Sequence, residues 1–293
     1  MYRLDIFPAL FNWLHRMKIP NLFPVFDEWR PAIFGFTCNI CNARNRSKST
    51  NLTRENSSCR HCGSTVRMRA IAALLSHELF GMVKPLVEFP FDKSITGIGM
   101  SDWDGYAVPL EQRLNYRNTF YHQEPFLDIT DVPNEMSNSL DFVLSSDVFE
   151  HVLSPVYRAF ENTHKLLRPG GVFVFTVPYT LDDSDTLEHF SPLNTFEIYM
   201  EDGEYLLRDI SSDGKITLYR DLIFHGGPGE TLEMRIFSKQ SVLKELHNAG
   251  FEKIRIVDDN MPHWGIYWND AWSLPIVARK PLMPPSTEPS KEP

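Results

Sequence analysis

The sequence predicts a doubly wound α/β domain on a mostly parallel sheet, with a small N-terminal ribbon held by cysteines. Two observations carry the prediction. Short apolar runs alternate with helical stretches along most of the chain, and all four cysteines fall between positions 38 and 62 as two C-x-x-C pairs. The 293 residues are 42% apolar and 13% aromatic, enough for one large domain with an accessory module. The formal charge is −9, from 29 Lys and Arg against 38 Asp and Glu, which argues against general adhesion to nucleic acid or anionic membrane. No stretch offers the ~18 consecutive apolar residues of a membrane span. The first residues lack the basic, apolar, small-residue order of a signal peptide, so a cytoplasmic protein is expected.

Taken in order, residues 1–36 are rich in aromatics and prolines, with Phe7, Phe11, Trp13, Phe23, Phe26 and Trp29, and read as an arm packed on the body. Residues 37–63 form the ribbon and 64–280 the main domain. Within it, residues 67–83 read as a helix with Ala70, Ile71, Leu74, Leu75 and Leu79 on one face. Residues 94–100 read as a strand and 103–114 as a helix. Further buried strands are expected at 119–121, 140–144 and 172–177, with a helix over 155–167. Arg168-Pro-Gly-Gly171 stops that helix, because Pro cannot continue it and Gly supplies a left-handed turn. Within 205–224, Asp213-Gly214 predicts a hairpin. A helix at 238–249 and strands at 251–257 and 275–278 close the domain. The tail 281–293, dense in proline and without apolar periodicity, is expected to be disordered.

The cysteines stand as Cys38-Asn-Ile-Cys41 and Cys59-Arg-His-Cys62, seventeen residues apart. This spacing matches a tetrahedral zinc site, in which each knuckle turns two thiolates toward one metal. Disulfides are disfavoured in a cytosolic chain, and a redox pair needs no duplicate. His61 reads as a solvated neighbour of the four thiolates. Arg44, Arg46, Lys48, Arg54, Arg60, Arg67 and Arg69 surround the ribbon against one acid, Glu55. Such a patch suits a phosphate-bearing partner. The interleaved aromatics of a single-strand binder are absent, so it reads instead as a solvated surface that offsets an acidic body.

Ile95-Thr-Gly97-Ile-Gly99-Met-Ser101 follows an apolar run and precedes a helix, where glycines let a ligand approach the backbone and a helix N-terminus favours an anion. Downstream come Leu127-Asp128-Ile-Thr-Asp131-Val-Pro133, then Leu140-Asp141-Phe-Val, Asp147, Glu150-His151, and His164-Lys-Leu-Leu-Arg-Pro-Gly-Gly171. In this order the blocks resemble the class I S-adenosylmethionine-dependent methyltransferases, especially the type 11 group, over about residues 64–280. The ribbon leading into Cys-Gly-Ser-Thr-x-Arg-x-Arg is similar to a subset of these enzymes with an N-terminal zinc ribbon. The resemblance implies a Rossmann-like methyltransferase fold. It also implies that Gly97, Gly99 and Ser101 border the methionine part of the cofactor, Asp128 and Ile129 flank the adenine, and Ser146 and Asp147 border the site. A side chain at Gly99 is then expected to take space the cofactor needs. Two departures stand out: Ile95 replaces the usual acid before the first glycine, and Ser101 replaces the third glycine. Glu124 is the acid assigned to the ribose hydroxyls, on the analogy of dinucleotide folds.

Methyl transfer is an in-line displacement, so alignment and exclusion of water dominate, and a base is needed where the acceptor is protonated. His151, His189 and His225 are candidates, each with a packing or loop-orienting role as the alternative. His189 is expected to be the base, on a loop beyond the fifth strand, with His151 orienting Glu150. Trp264, Tyr267, Trp268 and Trp272 form either an acceptor wall or core. The expected function is methyl transfer from S-adenosylmethionine to a small-molecule or sugar acceptor at oxygen, beside a structural zinc. The rivals are a nucleic-acid methyltransferase or binder working through the basic ribbon, and a non-catalytic interaction protein that has lost the cofactor loop. A nicotinamide-dependent oxidoreductase lacks its third glycine here.

Overall fold

A computed structural model describes residues 32–182 and 184–282. The arm assigned to 1–36 and the tail assigned to 281–293 lie almost wholly outside these residues. The chain begins with β1 (Ile33–Thr37) and β2 (Arg44–Lys48), an antiparallel hairpin that carries the first cysteine knuckle. The ribbon's first strand thus starts within the stretch assigned by sequence to the arm. Helix α1 (Val66–Phe80) follows, with Thr65 accepting the Met68 amide at its start and Gly81 in the left-handed conformation at its end. Then come β3 (Asp92–Met100), α2 (Asp104–Arg113), β4 (Leu114–Thr119), β5 (Leu140–Ser146), α3 (Tyr157–Leu166) and β6 (Leu167–Thr176).

Short strands β7 (Tyr179–Thr180) and β8 (Leu187–Glu188) precede β9 (Thr195–Glu201), β10 (Glu204–Ile210) and β11 (Ile216–Tyr219). The chain continues through β12 (Phe224–His225), β13 (Thr231–Leu232), β14 (Arg235–Ser238), α4 (Lys239–Asn248), β15 (Glu252–Ile256) and β16 (Ile276–Arg279).

The main sheet has the order β15-β16-β6-β5-β3-β4. Neighbours from β6 to β4 pair in parallel, and β16 runs antiparallel to both β6 and β15, so one strand is reversed among six. Alternation along each buried strand splits the core in two. Phe142, Leu144, Val172, Val174 and Val277 join α1, α2 and the ribbon on one face. Val143, Phe173, Phe175, Ile276 and Ala278 join α3 and α4 on the other. This is the doubly wound arrangement expected. The chain leaves β3 for β4 on one side and then returns to β5 on the other, so the order reverses between β3 and β5. In open α/β sheets a ligand sits outside the carboxyl ends of the strands at such a reversal.

One expectation is corrected. The second strand is β4, not 119–121: Leu114, Tyr116 and Asn118 are buried while Asn115 and Arg117 are exposed, and this period of two follows α2 with no intervening residue. Within the span assigned to the domain 64–280, Leu193–Met234 belongs to a separate compact unit. That unit holds the antiparallel sheet β11-β10-β9, whose β10–β11 hairpin turns at Gly214 as expected, together with the pair β12 and β13. No helix among the described residues is long and apolar enough to cross a membrane.

Candidate active site at the ends of β3 and β5

The two cysteine knuckles are built alike. Each closes on a residue of positive φ directly after its second cysteine, Asn42 in one and Gly63 in the other. The amides of these residues return to the Cys38 and Cys59 carbonyls at 2.8 and 2.9 Å. The four Sγ atoms lie within 4.8 Å of one another, with Cys38–Cys62 at 3.7 Å and Cys41–Cys59 at 3.6 Å. A tetrahedral ZnS4 group with bonds of about 2.3 Å has edges of about 3.8 Å, so the donor set fits one zinc ion. Ser64 Oγ lies 3.3 Å from Cys38 Sγ, and Asn45 Nδ2 donates to Cys59 Sγ at 3.4 Å. The hydrogen bond from Cys62 lowers the Cys38 thiol to about 4, and the same contact raises Cys62. His61 is exposed.

The basic patch does not stay together. Arg44, Arg46, Lys48 and Arg60 are exposed, whereas Arg69 is wholly buried and Arg54 and Arg67 nearly so. Arg69 donates to the carbonyls of Ser64, Trp264 and Gly265 and to Ser58 Oγ, and it stacks 4.7 Å from the Phe36 ring. It fastens the ribbon to α1 and to the turn at Gly265. The solvated-surface reading therefore fails for three of the seven cations, which are consumed inside the protein.

The end of β3 explains its glycines. A Cβ at Gly97 would overlap the Phe142 ring, and one at Gly99 would overlap the Tyr116 hydroxyl and the Asp102 carboxylate. At both positions neighbouring strands and the following loop pack closely enough to require glycine without any ligand. Ser101, at the position of the missing third glycine, has φ of 54°. The left-handed backbone that glycine would supply is thus retained without it. Asp102 follows, buried, accepting from the Tyr106 hydroxyl at 2.6 Å and the Tyr116 hydroxyl at 2.5 Å. Asn118 clamps its backbone at both N–H and C=O. Burial pushes the Asp102 carboxyl up to about 6, against the opposing pull of the two tyrosines and the Arg67 charge. Sequence reasoning passed over these tyrosines. An acid directly after G-x-G-x-x with Tyr four positions on was the available signal.

The end of β5 is built from charge. Asp147 also has a left-handed backbone, φ 54°. Its carboxylate accepts from Arg54 at 2.7 and 3.0 Å and from Thr176 Oγ1 at 2.8 Å, with Arg67 Nε at 3.4 Å. Burial alone would raise this carboxyl, but the Arg54 and Arg67 guanidiniums outweigh it and hold it well below the usual carboxylate range. Arg67 also donates to Ser146 Oγ and, through both edges of its fork, to Glu55 at 2.9 and 2.7 Å. Arg54 donates to the Ser273 carbonyl and lies 5.3 Å from the Trp272 ring centre. Cations and a carboxylate meeting at one strand end suit a ligand that bears both charges.

The remaining candidates are more scattered. Asp128 accepts from the Thr130 amide and hydroxyl at 2.8 Å each, shaping its own turn, and Ile129 is buried with its carbonyl held by Asn162. Glu124 is exposed, five positions past β4, with its carboxylate on the Phe126 amide at 3.1 Å. His151 ends the turn Phe149–His151 just beyond β5, with Nε2 3.8 Å from the buried Glu150 carboxylate. His189 is half-buried at the exit of β8, next to Glu188, which receives the buried Arg235 guanidinium at 2.7 Å. In the separate unit, His225 pairs with Glu233 at 2.7 Å. Trp264, Tyr267 and Trp268 pack on the core, while Trp272 faces Arg54. A groove of about 520 Å³, lined by Thr37, Asn42, Arg44, Lys84, Glu88 and Trp264 among others, shares no residue with the strand ends.

A family model described as a methyltransferase domain matches residues 81–256, more than half of the chain. Similar solved structures include an S-adenosylmethionine-dependent methyltransferase from Mesorhizobium loti, 15% identical, covering 66% of this chain and 94% of that one with a TM-score of 0.38. The 1,6-didemethyltoxoflavin-N1-methyltransferase of Burkholderia thailandensis, solved with its substrate and S-adenosylhomocysteine, is 15% identical over 73% of this chain and 78% of its own, TM-score 0.39. The sugar N-methyltransferase KedS8 of Streptoalloteichus is 11% identical over 72% and 85%, TM-score 0.40. No curated protein matches the chain. On the family match, the chain belongs to the methyltransferase-domain family and is an S-adenosylmethionine-dependent methyltransferase.

Proposed function

We propose that the protein transfers the methyl group of S-adenosylmethionine to a hydroxyl of a small-molecule or sugar acceptor, in the cytoplasm, with a structural zinc in its ribbon. The observation that carries this reading is the meeting, on either side of the sheet's reversal point, of two left-handed strand ends, Ser101 and Asp147, with two arginines gathered on the Asp147 carboxylate. The cofactor supplies an electrophilic methyl group on sulfur. The chain's own task is to hold the reactants in line and keep water out. Ser101 and the backbone at Gly97 and Gly99 would border the methionine end, Ser146 and Asp147 the side facing β5, and Asp128 with Ile129 the adenine. Glu124 is proposed for the ribose hydroxyls.

His189 is proposed to take the acceptor proton at an imidazole nitrogen. A second reading gives that role to His151, favoured by its seat four positions beyond Asp147 and beside Glu150. Screening hydroxylated metabolites and nucleotide sugars for methyl incorporation identifies the acceptor. With it in hand, alanine at the true base lowers turnover by about 10² to 10⁴ while cofactor affinity stays constant. Loss with His151→Ala and not with His189→Ala transfers the role, and loss with neither removes general-base catalysis by these residues. For the ribbon, elemental analysis should find about one zinc per chain, lost when Cys38 and Cys62 are both changed to Ser. Metal-free protein prepared without chelator would refute the zinc assignment.

A further inference from the structure

Arg54, Glu55 and Arg67 lie ahead of the segment matched by the family model, so nothing in that match assigns them a role. They nevertheless reach the carboxyl end of β5. Arg54 is engaged by Asp147, the Ser273 carbonyl and the Trp272 ring, and its Nη1 also reaches Glu55 Oε1, so it keeps Asp147 if Glu55 leaves. Arg67 is different. Its Nη1 is fixed on Ser146 Oγ, but the fork of Nε and Nη2 is filled by Glu55, edge to edge, at 2.9 and 2.7 Å. Glu55 is also the most exposed member of the group: 34% of its side chain is open, against 12% for Arg54, 16% for Arg67 and 19% for Asp147. A nearly buried guanidinium thus presents its planar donor edge to a carboxylate that borders solvent, at the sheet's reversal point.

Such an edge recognises carboxylates by geometry as well as charge. Exchanging one carboxylate for another on it leaves no buried charge unpaired at any stage, so the large penalty for stranding Arg67 is never incurred. S-adenosylmethionine carries a carboxylate at its amino-acid end. Accepting the cofactor reading above, we propose that the Arg67 fork is the subsite for that carboxylate and that Glu55, carried by the ribbon loop, fills it until the cofactor displaces it. The ribbon is then coupled to cofactor binding through the ion pairs that Glu55 makes with Arg67 and Arg54.

The test uses the full zinc-containing chain and two ligands, S-adenosylhomocysteine and 5′-methylthioadenosine, which share the nucleoside and thioether but differ in the amino-acid end. Calorimetry on the unmodified protein, Arg67→Gln and Glu55→Gln separates the outcomes. Arg67→Gln should weaken S-adenosylhomocysteine by about 10- to 100-fold, the scale of a charge-assisted hydrogen-bond pair, with methylthioadenosine changed by less than about two-fold. Glu55→Gln removes the competing charge and keeps both arginines, so it should tighten S-adenosylhomocysteine several-fold and leave methylthioadenosine alone. This arm stands even if Arg67→Gln folds poorly. Equal changes for both ligands, or no change for S-adenosylhomocysteine with Glu55→Gln, overturn the proposal while leaving the cofactor reading intact. Failure of the unmodified protein to bind S-adenosylhomocysteine overturns both.

Discussion

The ends of β3 and β5 lie side by side in the sheet and each turns on a left-handed residue followed or formed by an aspartate, yet they solve the burial of that carboxylate in opposite ways. Asp102 is met by two tyrosine hydroxyls, Asp147 by two guanidiniums. Neutral donors do not fully repay desolvation, so Asp102 is pushed up to about 6, while paired cations drive Asp147 well below its usual range. The first aspartate braces a loop from within; the second holds arginines that border solvent. A brace and a charged binding edge are different uses of the same residue type, and perturbing each should show it.

The largest effect is expected from Asp147→Ala, which leaves Arg54 and Arg67 buried with one carboxylate fewer. A loss of about 3–5 kcal/mol in urea unfolding is expected. A loss under about 1 kcal/mol would mean that Glu55 and water compensate, and the β5 end would not be the charged keystone described. The pH dependence comes next. Asp102 has a folded value raised above the unfolded ~3.9, so its contribution is fully present below about pH 4 and is lost as pH rises to about 6. Asp147, depressed when folded, contributes above pH ~4 and loses its contribution as pH falls below that. Asp102→Asn should therefore remove a stability decline of about 3 kcal/mol between pH 4 and 6 without altering the acid-side loss below pH 4. A variant whose pH profile parallels the unmodified protein contradicts the comparison.

Gly99→Val tests the brace sterically. The added side chain meets Tyr116 and Asp102, so destabilisation of about 1–3 kcal/mol is expected from overpacking, measurable without any ligand. A variant of full stability that merely fails to bind cofactor would show instead that this glycine is kept clear for a ligand. The smallest effect is a gain: Ser101→Gly relieves a left-handed serine and should stabilise the fold by about 0.5–1 kcal/mol. A loss instead would show that the Ser101 side chain is engaged.

Much of this architecture was legible in the sequence, because apolar periodicity and cysteine spacing are local signals. The helices fell where the stripe of Ala70, Ile71, Leu74 and Leu75 and the stop at Arg168-Pro-Gly-Gly171 put them. β4 escaped because Asn115 and Arg117 break its apolar run and α2 passes into it directly. The charged site escaped for a different reason. Arg54 and Asp147 are 93 positions apart and Arg67 and Ser146 are 79 apart, and a lone arginine in a basic stretch gives no hint that it is spent internally. The separate compactness of Leu193–Met234 was likewise invisible, since its antiparallel strands pair among themselves and no break in composition marks its ends.

The central claim is that ligand binds across the two contrasting strand ends rather than elsewhere on the chain. Amide hydrogen exchange on the unmodified protein, with and without saturating S-adenosylhomocysteine, tests it most directly. Added protection is expected at residues 100–102 and 146–148, with reduced protection at 54–56 of the ribbon loop as Glu55 is displaced. Protection confined to the groove lined by Thr37, Arg44 and Trp264, with both strand ends unchanged while the ligand is bound, would contradict the account.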